Sequence, residues 1–425
     1  MQLRKKRAIS PLIKRPRRMY TADGYGAQTV RFPMSPTMCR LGAAVCVLGV
    51  PLLVMLAVRK DAGTAEWWVR HVQSTWERVM GTLTSWLPVS VLELLIVVLI
   101  ALGAFLFARL AINLSRARFR AIGVGIAVVG VGVIAVLDLY VMSMGFGYYR
   151  APMPLKQAGA DYTAVQAAEA AQYFLDDYNA LAVKFERDEN GCVICPYTFR
   201  ELSKLLAAEY SRLDDDYFTP YTPKVKPIVN SWLLSDMLIT GVTFLPVGEA
   251  CVNDAVPPTY ATVTMAHELA HTKGVQREGD ANLIAQYILL SSSDDYLRYC
   301  GYYDAYFNLL SAVRLAGDYD GYMRMGSEIN PMISREREYE RKYWASQPDI
   351  MGAIAEFFNN FYLKSNGVAN GTASYGDGNK TEVITPINPD TGTPEINPDT
   401  GKPVIVPVYS TLQKIFFYLY ENRVK

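Results

Sequence analysis

Three stretches of this chain are long and apolar enough to cross a bilayer, and they constrain the fold more than any other feature. They run roughly over 41–58 ("LGAAVCVLGVPLLVMLAV"), 89–111 (containing "LLIVVLIALGAFLFARLA") and 121–144 (containing "AIGVGIAVVGVGVIAVLDLYVM"). A helical span needs about 20 predominantly apolar residues to cover the hydrocarbon core. A single run of this kind fits a buried core helix, but three in succession before residue 146 do not. Small residues on the third run suit close helix–helix packing. The sequence therefore predicts a three-helix membrane region over 41–145, followed by a globular part of ordinary polarity.

Basic residues orient the spans. The tail over 1–40 carries "RKKR" and "KRPRR", and the loop between the second and third runs reads "SRARFR" with no acidic residue. The first loop mixes both signs and holds Trp67, Trp68, Trp76 and Trp86, as an interfacial helix on the outer leaflet would. The positive-inside rule then places the N-terminus in the cytoplasm and everything after about Gly145 outside. Glu93 and Asp138 fall toward the outer ends of their spans, where interfacial water solvates them. A net charge of +1 gives no global case for binding nucleic acid. Cys192, Cys195, Cys251 and Cys300 all fall in the outer part, as structural disulfides or free thiols.

The outer part, 146–381, reads as helix-rich with a small sheet. Helical periodicity covers about 160–184 and 198–213, the latter with Thr198 as N-cap and Glu201 at the capping-box position. "GVTFLPVG" (241–248) reads as a short edge strand, because Pro246 cannot donate to a ladder. Further helices are expected over about 276–290, 295–316 and 335–360. The tandem "INPDTGTPE" and "INPDTGKPV" make 382–407 a flexible insertion before a terminal helix over 408–425. The fold class is thus mainly α, with three transmembrane helices and an α+β outer domain.

"AHELAHTKGVQREGDAN" (266–282) carries the chemistry. The chain has only three histidines, and His267 and His271 lie one helical turn apart, so both imidazoles can face one cation. Glu268 stands beside them as a general base, and HExxH on a helix reads as a zinc metallopeptidase. The surrounding residues are mostly apolar, and buried imidazoles and carboxylate need partners that a Zn2+ ion, one per chain, would supply. Gly274 can end the helix in a left-handed turn. Three residues compete for the third ligand position: Glu278, Asp280 and Glu249. Glu278 and Asn282 share one face of the following helix, which makes Glu278 the choice and Asn282 its brace, while Asp280 points about 200° away and is the runner-up. Glu249 is placed at the cleft as a bracing residue.

HExxH followed by Glu–x–x–Ala–Asn resembles the gluzincin pattern of membrane metallopeptidases such as the CAAX prenyl proteases and bacterial heat-shock membrane metalloproteases, whose motif ends in Ala–Asp. More closely, the chain looks like a family of bacterial membrane proteins with three N-terminal spans and an outer HExxH domain of unassigned activity. The likeness is carried by "GVTFLPVGEACVND", "MAHELAHTKGVQREGDAN", "GYYDAYFNLL" and "FYLKSNGVANGTASYG", most of residues 230–376. It implies a zincin-like domain, zinc-ligand roles for His267, His271 and Glu278, and a catalytic role for Glu268. Gly279 and Asp280 depart from it, standing where such families often show a second Glu. By analogy with zincins, a peptide would lie along the strand at 241–246, and an oxyanion-stabilising group is expected from Arg298, Tyr302 or Tyr303. The expected function is a plasma-membrane zinc peptidase acting on peptides or proteins outside the cell. The alternatives are a non-catalytic zinc-stabilised sensor or binding module, and a non-peptidase zinc hydrolase of envelope substrates.

Overall fold

A computed structural model describes residues 36–154, 162–213, 215–347, 351–379, 382–398, 401–404 and 406–424. The basic clusters at 4–7 and 14–18 lie outside the described residues. Three helices are long and apolar enough to cross a membrane: α1 (Pro36–Val58), α4 (Val91–Ser115), and α5 (Phe119–Tyr140) with its π-helical continuation to Gly145. Each extends a few residues beyond its apolar run, and Pro36–Arg40 belong to α1 rather than to a separate tail. α1 and α5 pack side by side, with Leu52, Val69, Val141 and Phe146 forming a small cluster at their domain-side ends.

The tryptophan-bearing loop is not a free interfacial helix. It forms α2 (Ala62–Trp68), a π-helical turn (Val69–Gln73) and α3 (Ser74–Thr84), and these pack onto the globular domain. Trp68 stacks on Phe146 with ring centroids 4.4 Å apart and donates to Met142 O, while Trp76 donates to Pro246 O. α3 approaches the Gly248 turn so closely that a Cβ on Gly248 would lie 2.3 Å from Gly81 N; the positive φ at Gly248 also favours glycine.

The domain core is helical. α6 (Ala164–Ala182) starts at a capping box of Thr163 and Gln166, and α7 (Phe199–Tyr210) at one of Thr198 and Glu201. β1 (Val225–Pro227), the short α8 (Ser231–Asp236), β2 (Gly241–Phe244) and β3 (Glu249–Val252) follow. β3 is the middle strand, parallel to β1 and antiparallel to β2, which leaves β2 at an edge. The strand expected to reach Gly248 stops at Phe244, because Pro246 sits in a 3-10 turn over Leu245–Val247.

Next come α9 (Pro258–Thr272), α10 (Glu278–Ser291) and α11 (Asp295–Leu315). Pro258 occupies the first helical position of α9, where its missing N–H costs nothing. α10 packs against both α9 and α11, and α11 packs on α6 through Tyr178, Tyr299, Tyr302 and Tyr306. α12 (Tyr319–Glu328), α13 (Pro331–Ser346) and α14 (Gly352–Ser365) complete this half. The single helix expected over 335–360 is therefore two, and Pro348 lies in the sequence between them.

The repeat segment, expected to be a flexible loop, forms a β-arm. β4 (Glu382–Ile384) pairs antiparallel with β5 (Val406–Val408) at its base. The two repeats share the same contact: Gly392 N donates to Asn388 O and Gly401 N to Asn397 O, both at 2.9 Å, with both glycines at positive φ. α15 (Thr411–Val424) then closes the core through Phe416 and Phe417. All six cysteines are free thiols.

Candidate metal centre

α9 delivers His267, Glu268 and His271, and the turn after it delivers Glu278. Lys273 ends α9, Gly274 takes φ +81°, and α10 begins at Glu278. The left-handed glycine reverses the chain so that Val275 O comes within 2.7 Å of His271 Nδ1. Carbonyls at this helix end are satisfied by specific donors: Gln276 Nε2 to His271 O and Thr219 Oγ1 to Thr272 O. Arg150, just beyond the third span, donates to Gly274 O while forming a forked pair with Glu66 of α2. The segment between the first two apolar helices thus buttresses the turn that brings Glu278 back toward α9.

The ligand atoms converge. One ligand atom each from His267, His271 and Glu278 lies within 4.8 Å of the others, the only such metal-competent trio among the described residues. Glu278 Oε2 is 3.2 Å from His267 Nε2 and 3.5 Å from His271 Nε2. Both Nδ1 atoms face acceptors: Asn282 Oδ1 lies 2.7 Å from His267 Nδ1, as Val275 O does from His271 Nδ1. Those acceptors hold the protons on Nδ1 and leave Nε2 of each ring as the atom turned toward Glu278, an arrangement that also orients imidazoles around metals. Burial opposes charge on His271, but the Glu278 carboxylate overrides it and raises the imidazole pKa to about 9. Burial likewise works against ionised Glu278, yet His271 and His267 hold it down at about 2.

Glu268 stands apart from the three ligand atoms. Burial pushes its pKa up, partly offset by His267 and His271. Thr243 Oγ1 of β2 lies 2.7 Å from Glu268 Oε2 and 2.9 Å from Glu268 O. A Cβ on Gly241 would come within 2.5 Å of Glu268 Oε1, so this carboxylate rests directly against the edge strand. Asn282, besides its contact with His267, donates from Nδ2 to Tyr375 O at 2.8 Å.

Other expected site residues lie elsewhere. Asp280 points to Arg277, 3.8 Å away, and is outside the ligand trio. Glu249 does not brace the trio: its carboxylate accepts from Val91 N at 2.8 Å and Leu92 N at 3.3 Å, and pairs with buried Lys226. It therefore caps the second membrane helix. Glu93, expected in interfacial water, accepts from Val229 N and Asn230 N, both at 2.9 Å. Arg298 pairs with Asp295 and Asp177, Tyr302 donates to Asp177, and Tyr303 donates to Glu340. These three are committed to partners on α6, α11 and α13, none of them in the trio.

Tyr375, which the sequence reading did not single out, lies beside the trio. Its ring lies 6.4 Å from His267, nearly parallel, in a 3-10 helix over Gly371–Gly376. Its hydroxyl accepts from Asn359 Nδ2 at 3.3 Å and neighbours Glu278; burial and that carboxylate raise its pKa far above the usual phenol value. Gly279 explains the close fit, since a Cβ there would meet Asp377 Cβ at 2.7 Å and Ser374 O at 3.0 Å. The departure from the gluzincin-like pattern at this position admits the Tyr375 segment. The signal was present in "NGTASYG", but nothing local distinguishes this tyrosine from the other 27.

One family model matches the chain, over residues 68–378. No curated protein and no solved structure matches it. The match takes in the second and third spans, the ligand trio and Tyr375, and it ends before the repeat arm. The chain belongs to the family described as Protein of unknown function (DUF3810).

Proposed function

We propose that this chain is a membrane-anchored zinc metallopeptidase, gluzincin-like in its ligand set, that hydrolyses peptides or proteins outside the cell. The observation that carries the reading is the convergence of two imidazole Nε2 atoms and one carboxylate oxygen with both Nδ1 atoms already engaged. Two imidazoles and a carboxylate are a donor set that zinc takes, and acceptor-bound Nδ1 atoms are its usual support. A zinc ion there would supply Lewis acidity, polarising a carbonyl and lowering the pKa of water.

The chain's own groups supply the remainder. Glu268, with Oε2 fixed by Thr243, has Oε1 beside the edge strand to take a proton from attacking water and pass it to the leaving amine. A peptide extended along β2 would lie against that carboxylate, since among the described residues β2 pairs with β3 alone. The Tyr375 hydroxyl replaces Arg298, Tyr302 and Tyr303 as the donor for developing negative charge on the carbonyl oxygen. A mixed library of unstructured peptides tests the reading. Wild type and Glu268→Gln, each loaded with zinc in lipid nanodiscs, should differ by loss of cleavage in the variant. Equal turnover in both would remove the catalytic assignment.

A further inference from the structure

α14 turns an apolar stripe away from the protein. Ile354, Phe357, Phe358 and Phe361 recur one helical turn apart and are 49%, 65%, 63% and 65% exposed. The opposite side holds the centre: Asn359 donates to the Tyr375 hydroxyl, and Asn360 Oδ1 accepts from Thr372 N. Large contiguous apolar patches on a surface mark something that covers them.

The connections of α14 identify the cover. Arg59, the first residue after α1, donates to Ser365 O at 3.4 Å, to Asn366 Oδ1 at 3.3 Å and to Gly145 O at 3.5 Å. The C-terminal end of α14 is thereby fixed where the first and third spans leave the membrane. Tyr148, three residues past the third span, donates to the Tyr362 hydroxyl at 2.9 Å. On the side of the second span, Trp86 and Trp232 are also largely exposed. Glu93, in the first turn of α4, holds the segment leading to Trp232 at that same depth. Exposed tryptophans at span ends form the aromatic belt of a membrane interface. At 14 residues, α14 is about 21 Å long, too short to cross a core of about 30 Å and suited to lying along its surface. Lys364 flanks the stripe, where a long side chain can reach headgroups.

We propose that α14 is an interfacial helix, lying in the leaflet on the domain side with Ile354, Phe357, Phe358 and Phe361 among the acyl chains. Its occupant is the bilayer rather than a second protein, because the stripe continues the interface set by the spans and by Trp86 and Trp232. One consequence rests on the peptidase reading: with Asn359 and Asn360 holding the Tyr375 segment from the same helix, the centre opens at the bilayer surface. Its substrate class is then a polypeptide segment presented at the membrane.

Spin-label accessibility tests this with no need for hydrolysis. Single labels at Phe357→Cys and Phe361→Cys are placed in a Cys39→Ser/Cys46→Ser/Cys195→Ser background, the remaining three cysteines being buried. The full chain is reconstituted in nanodiscs of phosphatidylcholine and phosphatidylglycerol. Met323→Cys, on the exposed face of α12, is the aqueous control. Both α14 labels should collide with oxygen and be shielded from a neutral nickel chelate, with the reverse at 323. Nickel accessibility at 357 and 361 equal to that at 323 would overturn the proposal. So would shielding from both relaxants, which would mean a protein partner covers the stripe.

Discussion

Asn282 links two parts of the centre, and replacing it separates them. Its Oδ1 accepts from His267 Nδ1–H at 2.7 Å and its Nδ2 donates to Tyr375 O at 2.8 Å. Asn282→Ala removes both contacts without touching a ligand atom. Losing the acceptor frees the His267 ring and its tautomer, and loss of such an outer partner weakens metal affinity by roughly 10–100-fold. That range corresponds to about 1.4–2.7 kcal/mol. Asn282→Asp retains an acceptor for His267 but cannot donate to Tyr375 O. It should therefore hold zinc at least as well as wild type while losing peptide turnover through a misplaced Tyr375. Competition against a chromogenic chelator measures the affinity in each protein. Wild-type affinity in Asn282→Ala would refute the role assigned to the His267–Asn282 contact.

Further outcomes follow from the same geometry. Tyr375→Phe should lower kcat by about 100–1,000-fold, the usual cost of one oxyanion donor, with zinc content unchanged; unaltered kcat would return the search to other donors. Glu249→Gln should destabilise the fold by roughly 3–5 kcal/mol, because it leaves Lys226 buried without its carboxylate; thermal unfolding in detergent reads this, and a small shift would contradict it. Glu77 is fully buried, and among the described residues neither carboxylate oxygen has a hydrogen-bond partner, so burial raises its pKa well above the ordinary range. Its folded form binds the proton more tightly than the unfolded chain, so stability is greatest below the unfolded pKa, about 4.5, and falls as pH rises. Glu77→Gln should therefore raise Tm at pH 8 more than at pH 5, and a lower Tm at pH 8 would count against this reading.

Much of the fold is carried by local sequence patterns. Spans come from uninterrupted apolar runs, α6 and α7 from their capping boxes, and the two ligand helices from periodicity broken at Gly274. Helical geometry shows only that Glu278 and Asp280 cannot face the same point; that Glu278 is the one beside His267 and His271 depends on how the chain turns at Gly274. What stayed hidden depends on contacts between distant segments. Tyr375 lies 93 residues from Asn282, and no periodicity links them. Glu249 sits in a stretch that reads like cleft lining, yet it caps a helix 158 residues earlier. The tryptophan loop has interfacial composition, but its buried residues Val69, Gln73 and Glu77 show their role only once the domain packs on them. Repeat residues with loop composition closed into an arm through the bridges of Ile387 with Pro394 and of Ile396 with Pro403.

Zinc K-edge absorption on the full chain, purified in detergent with its metal content measured, tests the central claim most directly. One zinc per chain is expected, bound by two imidazoles and oxygen donors with no sulfur. His267→Ala should abolish the bound metal, and Glu268→Gln should retain it with an unchanged spectrum. A chain that binds no zinc, or a spectrum dominated by thiolate scattering, would contradict the assignment of His267, His271 and Glu278 as the metal centre.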